Sequence, residues 1–186
     1  VDTKNHQINN TLIGKIELKA SKTEVLQKHQ EIFNQRYGKF TSFKKYNNSL
    51  KDIFEGNYET LFEIVIKSLN LMLEVYDVKT KIVYASELDA KGSKSELMLN
   101  LTKAVGGDIY LSGRGAEDYM DDVIFHNNNM EVEYQNFYHL KFDQKLKKDF
   151  QAGCLALELP FMYENFIDLL YDHYKSINQL DLIRGI

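Results

Sequence analysis

Tyr110-Leu-Ser-Gly-Arg-Gly115 is the stretch whose residue types and spacing carry the clearest chemistry. Two glycines let the backbone turn tightly and bring N–H groups close to a ligand. A helix starting just after them adds partial positive charge, and the Arg114 guanidinium can fork onto a phosphate or carboxylate. Ser112, Gly113, Arg114 and Gly115 therefore suit an anionic group such as a pyrophosphate. No GK[ST] follows, so this is not a Walker loop, and the spacing is not GxGxxG. The plain alternative is a glycine turn with a solvated arginine.

His139 can act as a general base near neutral pH, with Gln135 four residues earlier to orient a substrate. The alternative is a histidine packed in a polar rim. Asp118, Asp121 and Asp122 surround Tyr119 and offer carboxylate oxygens to a metal, but they lie on one predicted helix, where capping and a solvated face are the favoured account. No metal site is predicted, and no cofactor. Glu131 and Glu133 share a strand face, as paired carboxylates or as the wet side of an edge strand. Cys154 sits beside Leu155, Ala156 and Leu157, which suits an inert buried thiol. His6, His29, His126 and His173 read as surface or helix-end positions. No GxSxG elbow supports a hydrolase built on Ser112.

These groups need elements to position them. Alternation over 11–19 predicts a strand. Ser21 with Glu24 is a capping box that opens a helix running to Tyr37 and ending at Gly38. A short helix around Leu50–Phe54 ends at Gly56, and three- and four-residue apolar spacing predicts a helix over 58–75. The rhythm then changes. Residues 81–88 read as a strand. A helix opens on Ser93 and Glu96 and ends at Gly106-Gly107. Residues 108–111 form a strand, 117–125 a helix and 130–135 a strand. The result is an α/β fold, with a β-α-β-α-β parallel core over about 81–135, flanking helices and a helical N-terminal half. A last helix covers 164–174, after Pro160. Ligands of parallel sheets bind beyond the strands' carboxyl ends. That rule gathers Ser86 and Glu87, the 112–115 loop, and Gln135 with His139 around one crevice.

The chain has 186 residues, 44% of them hydrophobic, with 11 Phe and 12 Tyr. That suits one domain and excludes a disordered or collagen-like chain. Twenty-three basic against 27 acidic residues give a net charge of −4, a poor footprint for nucleic acid. No apolar run is long enough to predict membrane insertion. A lone cysteine forms no internal disulfide, so the cytoplasm is the expected compartment.

Tyr110-Leu-Ser-Gly-x-Gly115, then Tyr119-x-Asp121-x-x-x-Phe125, then Val132-Glu-Tyr-Gln-x-Phe137 with His139 and Gln144, resemble the core signature of the WbqC-like protein family. Phe150 to Tyr163 resembles that family's terminal segment, with Glu158 where an aspartate is common. Leu140 stands where a proline often follows the histidine. The likeness covers about 81–163 and is weak before it. The family's opening glutamine-proline-tyrosine motif is absent, which implies that residues 1–186 form a single domain from the C-terminal portion of a longer protein. The resemblance implies a role in bacterial surface-polysaccharide (O-antigen or capsule) biosynthesis. There the chain would be a transferase of an acyl or aminoacyl group to an activated amino sugar, with a nucleotide-sugar or acyl donor as small-molecule partner. It assigns catalysis to His139, Tyr119 and Asp121, and substrate binding to Ser112, Gly113, Gly115 and Gln135; Glu87 and Arg114 join the binding set by position and charge. A non-catalytic partner of the same pathway is the alternative, and self-association stays open.

Overall fold

The computed structural model describes residues 12–19, 22–136, 139–142, 144 and 155–179. Ser21, Phe137, Cys154 and His6 lie outside them. The chain divides into two compact units, one made of residues 1–79 with 139–186 and the other of residues 80–138.

The first unit is helical. Its helices are α1 (Lys22–Tyr37), α2 (Thr41–Lys45), α3 (Asn47–Phe54), α4 (Leu61–Val75), α7 (Leu155–Met162) and α8 (Phe166–Ser176), the numbers α5 and α6 falling in the other unit. α4 starts where it does because Thr60 and Glu63 form a reciprocal capping box, which satisfies backbone donors that a helix start leaves open. Hydrogen bonds from the Thr60 and Glu59 amides hold the Glu63 carboxyl below the usual carboxylate range. Leu71 is the buried residue of α4, with Ile64, Met72 and Val75 packed beside the core, whereas Val65 and Leu69 are exposed.

The core of this unit gathers around Phe161. Its ring lies 5.2 Å from Phe43, 5.5 Å from Tyr37, 5.6 Å from Tyr46 and 6.0 Å from Phe33, centroid to centroid. Such tilted and edge-on pairs match the quadrupoles of aromatic rings. Next to Phe161 on α7, Glu158 is fully buried and accepts a 2.6 Å hydrogen bond from the Tyr37 hydroxyl. Residues 155–162 carry one charged residue, Glu158, and a proline, so their spacing shows no helical period. α7 nevertheless forms, with Leu159, Pro160 and Phe161 all fully buried.

The second unit holds α5 (Lys94–Ala104), β1 (Ile109–Ser112), α6 (Asp122–His126) and β2 (Glu131–Tyr134). β1 and β2 pair in parallel, with Ile109 opposite Glu131 and Ser112 opposite Tyr134. α5 packs on β1 and on α6. α5 ends in a Schellman turn. Gly106 adopts φ +73°, its N–H reaches the Lys103 carbonyl, and the Gly107 N–H reaches Thr102, the pattern glycine permits most readily. Leu99, Phe125 and Met130 form the core, and the Tyr110 ring stacks on Phe125 at 5.6 Å.

The structure is therefore helix-rich with a two-stranded parallel sheet, and three expected elements change. Residues 81–84 are not a strand, and 85–87 form a 3-10 turn. Ile82 and Val83 are β-branched but exposed; propensity builds a strand only where a neighbour pairs with it. The expected strand over 11–19 is a 3-10 turn at Ile13–Lys15 followed by one antiparallel bridge, Glu17 to Thr60. Its apolar positions Ile13 and Ile16 are three apart, which a strand cannot place on one face. The helix expected over 117–125 is shorter, because Asp121 caps α6 by accepting from the Val123 N–H at 3.1 Å. No helix among the described residues is long and apolar enough to cross a membrane.

Replacing Phe161 by Ala should cost about 3–5 kcal/mol, as deletion of a buried ring does. Denaturant unfolding followed by circular dichroism measures it, and a loss below about 1 kcal/mol would show that this ring does not organise the core.

Candidate functional site

β1 runs out at Ser112, whose carbonyl accepts the Gln135 N–H at 2.9 Å and so continues the ladder one step past β2. Beyond it, Gly113 stays extended and Arg114–Ala116 make a single 3-10 turn. A Cβ placed on Gly113 or Gly115 would meet nothing within 4 Å. Packing therefore does not require these glycines; the space beside them is open.

That space is a cavity of about 750 Å³, lined by Lys94, Ser95 and Met98 at the start of α5, by Tyr110 and the loop residues Ser112, Gly113, Gly115 and Ala116, and by Tyr119 and Met120. Ser112 is 3% exposed and Ser95 7%, while Tyr119 is 72% exposed. Ser93, the N-cap residue of α5, makes no side-chain capping bond. The Ser95 hydroxyl is instead spent across the fold, where its oxygen accepts the Asp121 N–H at 3.0 Å. This bond ties the start of α5 to the segment that leads into α6.

Four of the expected residues, Ser112, Gly113, Gly115 and Tyr119, thus share one cavity. The others do not line it. Arg114 donates from Nη1 to the Asn136 Oδ1 at 2.9 Å, with Glu117 4.0 Å from its Nε. Asp121 directs its carboxylate to the Val123 amide at the start of α6. Gln135 is exposed after β2, and Glu87 is exposed on its 3-10 turn. The residues lining the cavity all belong to the 80–138 unit, whereas His139 is half-buried in the other. Because residues 81–88 form no strand, the third wall expected from a strand end is supplied by the first turn of α5. Lys94, Ser95 and Met98 were missed for that reason; the capping pattern at Ser93 located the helix but not what faced it. No group of three or more His, Cys, Asp or Glu able to hold a metal occurs among the described residues.

Behind the cavity wall, the Tyr134 hydroxyl donates to Asp122 Oδ1 at 2.7 Å and so links β2 to the first turn of α6. Desolvation, then the hydrogen bond to Asp122, push the Tyr134 phenol up to about 12.

The model of a family described as the WbqC-like protein family matches residues 1–164. The chain belongs to that family, and the match extends well before the 81–163 region that carries the motifs. No curated protein and no solved structure matches the chain.

A phenol whose folded pKa is raised keeps its full stabilising contribution below its unfolded value and loses it as pH climbs through the folded one. For Tyr134 that window runs from 10.0 to about 12. Subtracting the ultraviolet phenolate titration of Tyr134→Phe from that of the native chain should leave a step near the top of that window. A step at the bottom of it would show that the bond to Asp122 is not held in solution.

Proposed function

We propose that this WbqC-like protein acts on a phosphate-activated sugar, as a transferase of an acyl or aminoacyl group to an amino sugar in bacterial surface-polysaccharide biosynthesis. The observation that carries this reading is the cavity of about 750 Å³ between the Ser112–Gly115 loop and the first turn of α5. Small-molecule sites usually span about 300–1,000 Å³. Two glycines without packing duties leave their backbone open to a ligand, as an approaching phosphate requires. Tyr119 offers the sugar a broad exposed ring, which suits an amphipathic ligand with one apolar face. Ser112 and Ser95 supply hydroxyls from the buried wall.

A non-catalytic partner role in the same pathway is the second reading. The side of the sheet away from the unit's core carries Ile109 and Leu111, both exposed, beside Glu131 and Glu133. Exposed apolar residues of this kind suit a protein surface as well as a solvent-facing strand.

A UDP-linked amino sugar should raise the melting temperature in a concentration-dependent way, since a ligand at a hundred times its Kd stabilises by about 2.7 kcal/mol. Gly113→Val, whose side chain enters open space in an extended backbone, should melt as the native chain does without ligand yet lose the shift. No shift at millimolar ligand would remove the sugar-phosphate reading. Pathway output lost in Leu111→Lys but kept in Gly113→Val would put the partner reading first.

A further inference from the structure

We propose that Lys94, rather than the glycine-flanked Arg114, is the cation that holds the anionic group of the ligand in this cavity, and that the group is a phosphate or diphosphate ester. The inference rests on the sugar-phosphate reading above and adds a specificity-determining residue to it.

The first argument is placement. Of the residues that line the cavity, Lys94 is the one with a charged side chain. It makes no ion pair or hydrogen bond with another described side chain, so its ammonium carries no structural duty there. Arg114 has the opposite character. Its guanidinium joins the loop to Asn136, beyond β2, and lies near Glu117, and it does not line the cavity. Arg114 closes the loop, and Lys94 faces the space the loop leaves.

The second argument is the set of donors beside Lys94. Ser95 is more than nine-tenths buried and lines the same cavity. Its oxygen accepts from Asp121, which leaves the hydroxyl hydrogen to be given to an acceptor. Ser112, also buried, spends its hydroxyl on a long 3.3 Å contact with the adjacent Gly113 carbonyl and can turn to a better acceptor. An ammonium with two hydroxyls and the open backbone of Gly113 and Gly115 is a set of donors. It calls for an acceptor-rich anion, and a phosphate presents more oxygens than a carboxylate.

The third argument is conformational. Lys94 has φ +51°, a left-handed value that a long side chain rarely takes. Gly92, two residues earlier, has φ +116°, and a Cβ there would come within 2.9 Å of the Glu96 side chain. The chain therefore enters α5 through a fixed bend, and that bend carries Lys94 to the cavity rim.

Isothermal titration of inorganic pyrophosphate and of UDP into the full chain tests the assignment. Loss of one charged hydrogen bond predicts about tenfold or more weaker binding in Lys94→Gln. Lys94→Arg should recover most of it, and Arg114→Gln should change it less than about threefold. Lys94→Gly serves if the glutamine variant folds poorly, because glycine accepts a left-handed backbone without strain; it should bind as weakly as Lys94→Gln. Native binding with an undiminished Lys94→Gly, or with the loss confined to Arg114→Gln, would overturn the role of Lys94 and leave the sugar-phosphate reading standing. If the native chain binds neither probe, both fall together.

Discussion

Parallel pairing is the constraint on which the 80–138 unit depends. Two neighbouring strands that run the same way cannot be joined by a hairpin; the chain must travel back along the sheet before the second strand begins. Here the return path is short. It leaves β1 at Gly113, turns once, passes Tyr119, forms the five residues of α6 and re-enters at Glu131. A path this short must be pinned, and Phe125 does so, fully buried and stacked on Tyr110. The Ser95 to Asp121 and Tyr134 to Asp122 bonds hold its other end. The cavity is the room left between this pinned return and the start of α5.

Each aspartate of the acidic cluster that the structure engages serves this path. Asp121 caps α6 and Asp122 receives the Tyr134 hydroxyl. Both act here as fasteners: Asp121 meets an open amide of the helix start, which draws carboxylates, and Asp122 meets a phenol from β2. The same logic explains Arg114. A guanidinium between two glycines has few neighbours on its own loop, so it reaches the nearest acceptors, Asn136 and Glu117.

How much of this was legible in the residues follows from which signals are local. The stop of α5 at Gly106-Gly107 and both parallel strands could be read directly, since a glycine turn and a short segment between helices act over a few residues. The glycine loop was legible for the same reason, and the cavity it borders also takes in Tyr119, which the family resemblance had singled out. The strand expected over 81–88 could not be tested by sequence, because it depended on a neighbour supplied elsewhere. α7 was hidden because its single charged residue, Glu158, is buried with its neighbours, and a helix without a polar stripe gives no period. The place of Lys94 on the cavity wall leaves no mark in spacing, because a left-handed backbone has no periodic signature, and the charge of Arg114 gave no direction, so its bond to Asn136 was not legible.

The Tyr37–Glu158 bond joins residues 121 apart in sequence, and Phe161 completes the same core from the chain's far end. The 80–138 unit, by contrast, is one uninterrupted stretch. In order of synthesis the continuous unit is complete before α7 is made. The inserted unit emerges whole and can close its own core while α1 to α4 still wait with an open aromatic socket. The aromatic socket of α1 to α4 therefore takes its last ring, Phe161, from a helix made after the whole second unit.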